Sequence, residues 1–381
     1  MRARQVPVCV DGRLTASEGT GVASYARAMR DALAATGPAP LMLEDDQRGR
    51  FGARAPLSEV IGRRVRGTLH RRLLLTRDAQ RLYSPDVFRL AHARFAGTGK
   101  VLILDAPGTP GIMHWTYPIP AWIRGWVNLY TIHDAIPLIT PELSNVEPLS
   151  LARRIRALAS VTDRFLTVSD AARDEILRAL QLPAALVSNC GTAVTALAHG
   201  PGQLPDGLIA QEYYLFCGLA EPRKNLPRLI AAWRNSGTTR PLVLTGPDHD
   251  WAQAEAGLVL LPFQARPALV DLIRNARALL FPSLAEGFGL PVVEAMALGT
   301  PVLTAKNGAL AEVAGRSALL VDPVDEGAIT QGIIRLDQDD NLRSTLMMRG
   351  LERAGNFTPE RFGARLRRLH DEFTSDSRFD V

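Results

Sequence analysis

Lysine is almost missing from this chain. Only Lys100, Lys224 and Lys306 occur, against abundant arginine, a skew that reflects genomic base composition more simply than function. Cysteine is as sparse: Cys9, Cys190 and Cys217 are scattered and odd in number. With no CxxC pair and no Cys/His cluster, neither a disulfide framework nor a zinc site is expected, and a reducing cytoplasm fits. Aromatic residues make up 6% of the sequence, too thin a supply near its basic stretch for a nucleic-acid surface. No run approaches the roughly 18 apolar residues of a membrane span, and the start "MRARQVPVCVDGR" lacks the apolar centre of a signal peptide. These absences lead to the expectation of a cytoplasmic protein, either soluble or peripheral on the inner face of the cytoplasmic membrane, with no nucleic-acid partner.

What is present is core-forming material. The 381 residues are 46% hydrophobic, enough for two domains. The net charge of +5 is unevenly placed. From Arg48 to Arg94 run twelve arginines, and the only acids between them are Glu59, Asp78 and Asp86. Such a stretch is either a solvated face or a patch for an anionic membrane surface or a phosphorylated acceptor.

Along the chain, strand and helix patterns alternate. "VPVCV" (6–10), "VLILD" (101–105), "WVNLYTI" (126–132), "RFLTVS" (164–169) and "AALVSN" (184–189) read as buried strands. "VASYARAMRDAL" (22–33) carries Val22, Tyr25, Ala26, Met29, Ala32 and Leu33 on one helical face. Ser169 is placed to cap the helix "DAARDEILRAL". "AHGPGQLPDG" (198–207) breaks all periodicity and reads as a linker. After it the alternation restarts with "YYLFCG", "NLPRLIAAW", "PLVLTG", "RPALVDLIRNA", "ALLFPS", "PVVEAMAL" and "PVLTA". The fold class is therefore α/β: two Rossmann-like domains facing a cleft, 1–200 and 201–360, with 361–381 a C-terminal helix packing back toward the first domain.

One stretch carries the most chemistry: "LFPSLAEGFGLPVVEAMALGTPVL" (280–303). Pro291 suits a helix's first turn, and Gly299 with Pro301 suits its exit. "LAEGFGL" is then a loop at the carboxyl end of a strand, where open α/β sheets bind ligands. Gly287 and Gly289 allow close backbone approach, and the helix N-terminus favours phosphate. Carboxylates beside a phosphate suggest hydroxyl groups instead, so Glu286 and Glu294 point to a ribose and a sugar. The composite ligand is a nucleotide sugar. Arg223 and Lys224, in the loop before "NLPRLIAAW", make a diphosphate site with that helix's N-terminus. Asn225 is expected to be its N-cap.

The string E-G-F-G-L-P-x-x-E-A-M-A-x-G-x-P-V closely resembles the signature of family 4 glycosyltransferases, retaining enzymes of the two-Rossmann GT-B fold. "FCGLAEPRKNLPRLIAAW" (216–233) resembles that family's first donor-domain unit, in the subgroup with an Arg-Lys-Asn loop. The resemblance implies that Glu294 holds the donor ribose and that Glu286 faces the transferred sugar. It implies that the backbone of Gly287, Phe288, Gly289 and Leu290 lines sugar and phosphate, with Gly246 among the donor-binding residues. Arg223 and Lys224 would stabilise the departing diphosphate. "YTIHDAIPL" (130–138) resembles the family's His-Asp motif, so His133 would approach the donor sugar while Asp134 caps the following turn. Gly19 and Gly21, in "SEGTGVASYARAM", would form a glycine loop touching the donor phosphate; the GxGxxG dinucleotide fingerprint fails there at Ser24. Two departures stand out: "LLPFQARPAL" (260–269), where relatives show a glycine, and Cys190 inserted in "SNCGTA".

The strings "DHD" (248–250) and "DQDD" (337–340) are read as solvated acids, so no metal and no cofactor is expected. The implied activity is retaining, metal-independent hexosyl transfer from a nucleotide sugar, first of all mannose from GDP-mannose. The acceptor would be a growing, lipid-linked glycan in bacterial surface polysaccharide assembly. Two rivals stand beside it: a sugar-nucleotide 2-epimerase of the same fold, and a catalytically inactive sugar-nucleotide-binding subunit.

Overall fold

A computed structural model describes residues 6–15, 20–45, 71–195, 204–247, 256–373 and 377–379, with Leu69 and Gly202 besides. The arginines from Arg48 to Arg66, Gly19, the "DHD" string and half of the segment 198–207 lie outside the described residues.

The first half builds an eight-stranded sheet. Its order is Val187–Asn189, Arg164–Thr167, Val127–Thr131, Ile112–Trp115, Val8–Asp11, Leu41–Asp45, Arg81–Ser84 and Thr76–Arg77. All neighbours are parallel except the edge pair Thr76–Arg77 and Arg81–Ser84. The expected strand at 101–105 is real but belongs to a separate three-stranded parallel sheet, Arg72–Leu74, Leu102–Asp105 and Ala121–Ile123. Its place in the main sheet is taken by Ile112–Trp115, fully buried between Val127–Thr131 and Val8–Asp11. Strands buried on both faces lose the alternation that marks a strand in sequence, so His114 and Thr116 disguise this one.

The second half is a six-stranded, wholly parallel sheet. Its order is Leu258–Leu261, Leu242–Thr245, Tyr214–Cys217, Ala278–Phe281, Val302–Ala305 and Leu319–Val321. In chain order this is 3-2-1-4-5-6, the doubly wound arrangement, whose strand order reverses between Tyr214–Cys217 and Ala278–Phe281. The crevice at that reversal is where such a sheet binds ligands, and it lies between the two loops carrying the sequence motifs.

The chain then crosses back. The Val194 amide donates to the Phe357 carbonyl at 2.9 Å, and the helix Pro359–Asp371 packs on the helix Gly21–Thr36. Phe362, Leu366 and Leu369 are buried there in one cluster with Tyr25, Met29 and Leu33. Gly363 is the closest point: a Cβ would collide with the Ala32 carbonyl and the Thr36 side chain. His114 of the first sheet and His370 of this helix meet Nε2 to Nε2 at 2.7 Å. Burial holds both rings neutral, well below the usual histidine range for His114 and at about 4 for His370.

Candidate active site

Two loops flank the reversal of the second sheet. After Tyr214–Cys217 comes a short 3-10 turn, Pro222–Lys224, and then the helix Leu226–Asn235. Asn225 stands at the N-cap with φ 61°, a left-handed conformation that asparagine tolerates. It does not cap through its side chain. Its Nδ2 donates instead to the Pro282 carbonyl at 3.1 Å and the Pro323 carbonyl at 2.6 Å. The Leu284 amide donates to the Arg223 carbonyl at 2.7 Å. These bonds fix the first loop on the second, which follows Ala278–Phe281.

The charged side chains then converge. Arg223 Nη1 donates to Glu286 Oε2 at 2.5 Å, and Lys224 Nζ to Glu286 Oε1 at 2.6 Å. Arg223 also pairs with Glu221 at 2.5 Å. Lys224 is 6% exposed, with Nζ 4.6 Å from the centre of the Phe281 ring. Burial alone would push the Glu286 carboxyl up; Lys224 and Arg223 outweigh it and hold the group below the usual carboxylate range. Burial lowers Lys224, against the pull of Glu286. Arg223 and Lys224 are therefore not bare cations awaiting an anion. Glu286 and Glu221 together neutralise them, so a diphosphate would have to compete for donors that are already aligned.

Glu294 lies one helix turn on, in Leu290–Ala297, and is buried. Its partner is Arg266, whose Nη2 lies 2.8 Å from Glu294 Oε1 and 3.4 Å from the Thr195 carbonyl of the first half. Arg266 was missed in sequence because it stands in the segment 260–269, where the family pattern departs. Glu221 was missed because an acid beside a diphosphate site has no obvious use. Gly246 ends the strand Leu242–Thr245, with φ 140°. Phe288 is buried; its ring packs edge-on to Phe357, centroids 5.4 Å apart. Leu290 is the first residue of its helix, and Pro291 follows in the first turn. Gly289 precedes them with φ 94°, and a Cβ there would collide with Leu310.

The other wall comes from the first half. His133 follows Val127–Thr131, and Nε2 lies 2.8 Å from the Thr116 carbonyl. A carbonyl can only accept, so Nε2 carries the proton and Nδ1 keeps the lone pair. Burial holds the ring neutral, at about 4. The Tyr25 ring meets it edge-on at 4.8 Å. Asp134 caps the next turn, accepting from the Ile136 amide at 3.0 Å. Burial raises its carboxyl while Arg223 lowers it, which places Asp134 within the field of the cationic loop.

The two walls touch at Gly287. A Cβ there would run into the His133 carbonyl oxygen, with Asp134 Cβ at 3.1 Å. Ser169, which caps the helix Asp170–Leu180 as expected, also donates to the Gly287 carbonyl at 2.7 Å. Glu312 completes the junction, accepting from the Asp170 amide at 3.0 Å and the Ala171 amide at 2.8 Å. The structure thus brings Arg223, Lys224, Glu286, Gly287 and His133 to one place. Gly21 is different. It is not in a loop but opens the helix Gly21–Thr36, exposed, after Thr20 as N-cap.

Asp337, in "DQDD", accepts from Tyr214 Oη and Arg240 Nη1, both at 2.8 Å, and Asp340 pairs with Arg343. Among the described residues no three His, Cys, Asp or Glu side chains gather as a metal site would require. The arginine stretch is also less free than its sequence suggests. Arg81 pairs with Asp78 at 2.7 Å and Glu44 at 3.4 Å, Arg89 pairs with Asp86, and Arg94 is buried. Arg71, Arg72 and Arg77 are exposed.

A pair of facing Rossmann-like domains, with a charged cluster at the strand-order reversal of the second, defines the GT-B class. Residues 209–352 match the family model described as Glycosyl transferases group 1. The chain carries a domain of that family. It is 35% identical over 252 residues to the O-antigen chain mannosyltransferase B of Escherichia coli, covering 60% of this chain and 66% of the relative. A serotype-specific mannosyltransferase, WbdA, also of Escherichia coli, is 25% identical over 270 residues, covering 64% of this chain and 33% of the relative. The chain thus spans from a third to just under two thirds of these relatives. Among solved structures, sucrose-phosphate synthase from Thermosynechococcus elongatus superposes with a TM-score of 0.68 over 97% of this chain and 99% of its own, at 18% identity.

Proposed function

We propose that this chain is a retaining, metal-independent hexosyltransferase that moves mannose from GDP-mannose to a growing, lipid-linked glycan of a bacterial surface polysaccharide. The observation that carries this reading is the Arg223–Lys224–Glu286 cluster at the sheet's reversal, pressed through Gly287 against His133. The names of the relatives favour mannose.

In this reading the donor diphosphate displaces part of the Glu286 carboxylate from Arg223 and Lys224. The freed carboxylate turns to the sugar hydroxyls. As the glycosidic bond breaks, charge grows on the leaving oxygen, and the preset cations stabilise it more in the transition state than in the ground state. Neutral His133 accepts a sugar hydroxyl at Nδ1. Glu294, held by Arg266, takes the ribose. Glu286 keeps part of its contact with the two cations and faces the sugar hydroxyls, so it is poorly placed as a nucleophile. The incoming hydroxyl then attacks the face the diphosphate leaves and passes its proton to the leaving oxygen.

No helix among the described residues is long and apolar enough to cross a membrane. Contact with an anionic membrane surface would be peripheral, through exposed arginines such as Arg71, Arg72 and Arg77, and should be lost from anionic vesicles in high salt.

Product stereochemistry tests the reaction. NMR of the anomeric proton and carbon should show an α-linkage from an α-donor, formed undiminished in EDTA. A β-linkage, or turnover that EDTA abolishes and Mn²⁺ restores, contradicts the proposal.

A further inference from the structure

A second polar cluster lies in the first half, outside the donor-site residues. Asp11 and Thr116 sit at the carboxyl ends of the adjacent strands Val8–Asp11 and Ile112–Trp115, both buried. The Thr116 amide donates to Asp11 Oδ2, while the Thr116 carbonyl receives His133, so the cluster begins one residue from the proposed reaction centre. Arg13, two residues after Asp11, lays its guanidinium over the Tyr117 ring, 5.5 Å from its centre. His92, from the helix Val87–Thr98, stands nearly parallel to the same ring, centroids 6.4 Å apart. Arg154 reaches in from the helix Pro148–Leu158.

The polar atoms here are under-used. Asp11 Oδ1, Thr116 Oγ1, Arg13 Nη1, His92 Nε2 and Arg154 Nε are buried and have no hydrogen-bond partner among the described residues. Buried polar groups are ordinarily paired, and five orphans converging from four elements are far from that expectation. The charge is unbalanced too. The neighbours that shift Arg154 are Tyr117 and Arg13, neither of them a carboxylate. Burial, with Arg13 and Arg154 adding to it, keeps His92 neutral at about 4. Among the described residues, two guanidiniums thus share the site with one carboxylate, Asp11, which already accepts from Thr116.

We propose that these six side chains form an acceptor subsite for a sugar bearing an anionic oxyacid group, a phosphate or a carboxylate. The anion lies on Arg13 and Arg154, whose planar forks match two oxygens at once. A sugar hydroxyl lies on Asp11 and Thr116, on the side of His133. Tyr117 Oη and His92 Nε2, both buried and without a hydrogen-bond partner among the described residues, are further polar contacts for the sugar hydroxyls. This inference rests on the reading of the chain as a hexosyltransferase and names the chemical class of its acceptor.

The test is titration calorimetry on the full chain with a hexose 6-phosphate, a hexuronate and the neutral hexose. The anionic sugars, either or both, should bind at least tenfold more tightly than the neutral one. Arg13→Gln and Arg154→Gln should each lose at least tenfold in that affinity, with Arg154→Lys recovering part of it. Arg223→Gln should leave it unchanged. Unaltered nucleoside-diphosphate binding by the Arg13 and Arg154 variants shows that they fold. Wild-type affinity for the anionic sugars in both variants, equal binding of the neutral hexose, or a loss confined to Arg223→Gln overturns the subsite. A wild-type chain that binds no nucleoside diphosphate fails the donor reading instead, a distinct result.

Discussion

Gly287 is the residue on which the two halves meet. It stands between Glu286, which holds Arg223 and Lys224, and the left-handed Gly289, and only the absence of a side chain lets it approach the His133 carbonyl. Gly287→Ala should force the loops apart. Overpacking of this kind costs about 1–3 kcal/mol, and the variant should lose stability in denaturant titrations and transfer rate together. Wild-type values for both would show that the contact is not a constraint. At this scale the sequence was legible where a motif states its own chemistry. Glu286, Glu294, Arg223, Lys224 and His133 were all nameable in advance. Their pairing was not. Which cation faces which carboxylate depends on loops more than 60 positions apart, and nothing local fixes that.

Among elements, the helix Pro359–Asp371 has the most consequential position, since it leaves the second half to complete the core of the first. Gly363 sets its distance from Gly21–Thr36. Gly363→Leu should separate the two helices and destabilise the chain by about 1–3 kcal/mol, with the donor-domain residues unaltered. Unchanged stability by chemical denaturation would contradict that packing. A helix packing back toward the first domain was expected, but the residues it meets there were not, because amphipathicity names a face without naming what covers it. The strands tell a similar story. Hydrophobic runs such as 278–281 and 242–245 announced themselves. Ile112–Trp115 did not, since its inward histidine is paired with His370 from the far end of the chain.

For the whole molecule, the buried histidines set a pH dependence. His92, His133 and His370 are held at about 4 against an ordinary 6.5, with His114 lower still. Between those values the unfolded chain binds protons that the folded chain refuses, so stability falls as pH drops from about 6.5 toward 4. Each histidine contributes at most about 1.4 kcal/mol per pH unit. Asp11 works in the opposite sense. Burial raises it to about 6 from 3.8, so the folded chain holds its proton over part of the same window and offsets about one histidine. The net expectation is still acid destabilisation, read as a falling denaturation midpoint; a flat profile between pH 7 and 5 would show that these rings are not held neutral.

The central claim is that the Arg223–Lys224–Glu286 cluster receives the diphosphate of a nucleotide sugar, and that Glu294 receives its ribose. Titration calorimetry of GDP and UDP against wild type, Arg223→Ala and Glu294→Ala tests it most directly. The account predicts that wild type binds GDP more tightly than UDP. Arg223→Ala should lose about 2–4 kcal/mol of that binding or of the transition-state stabilisation it feeds, roughly 10²–10³ in kcat/KM, while Glu294→Ala chiefly raises the donor KM. Nucleotide affinity and kinetics unchanged in both variants would contradict it.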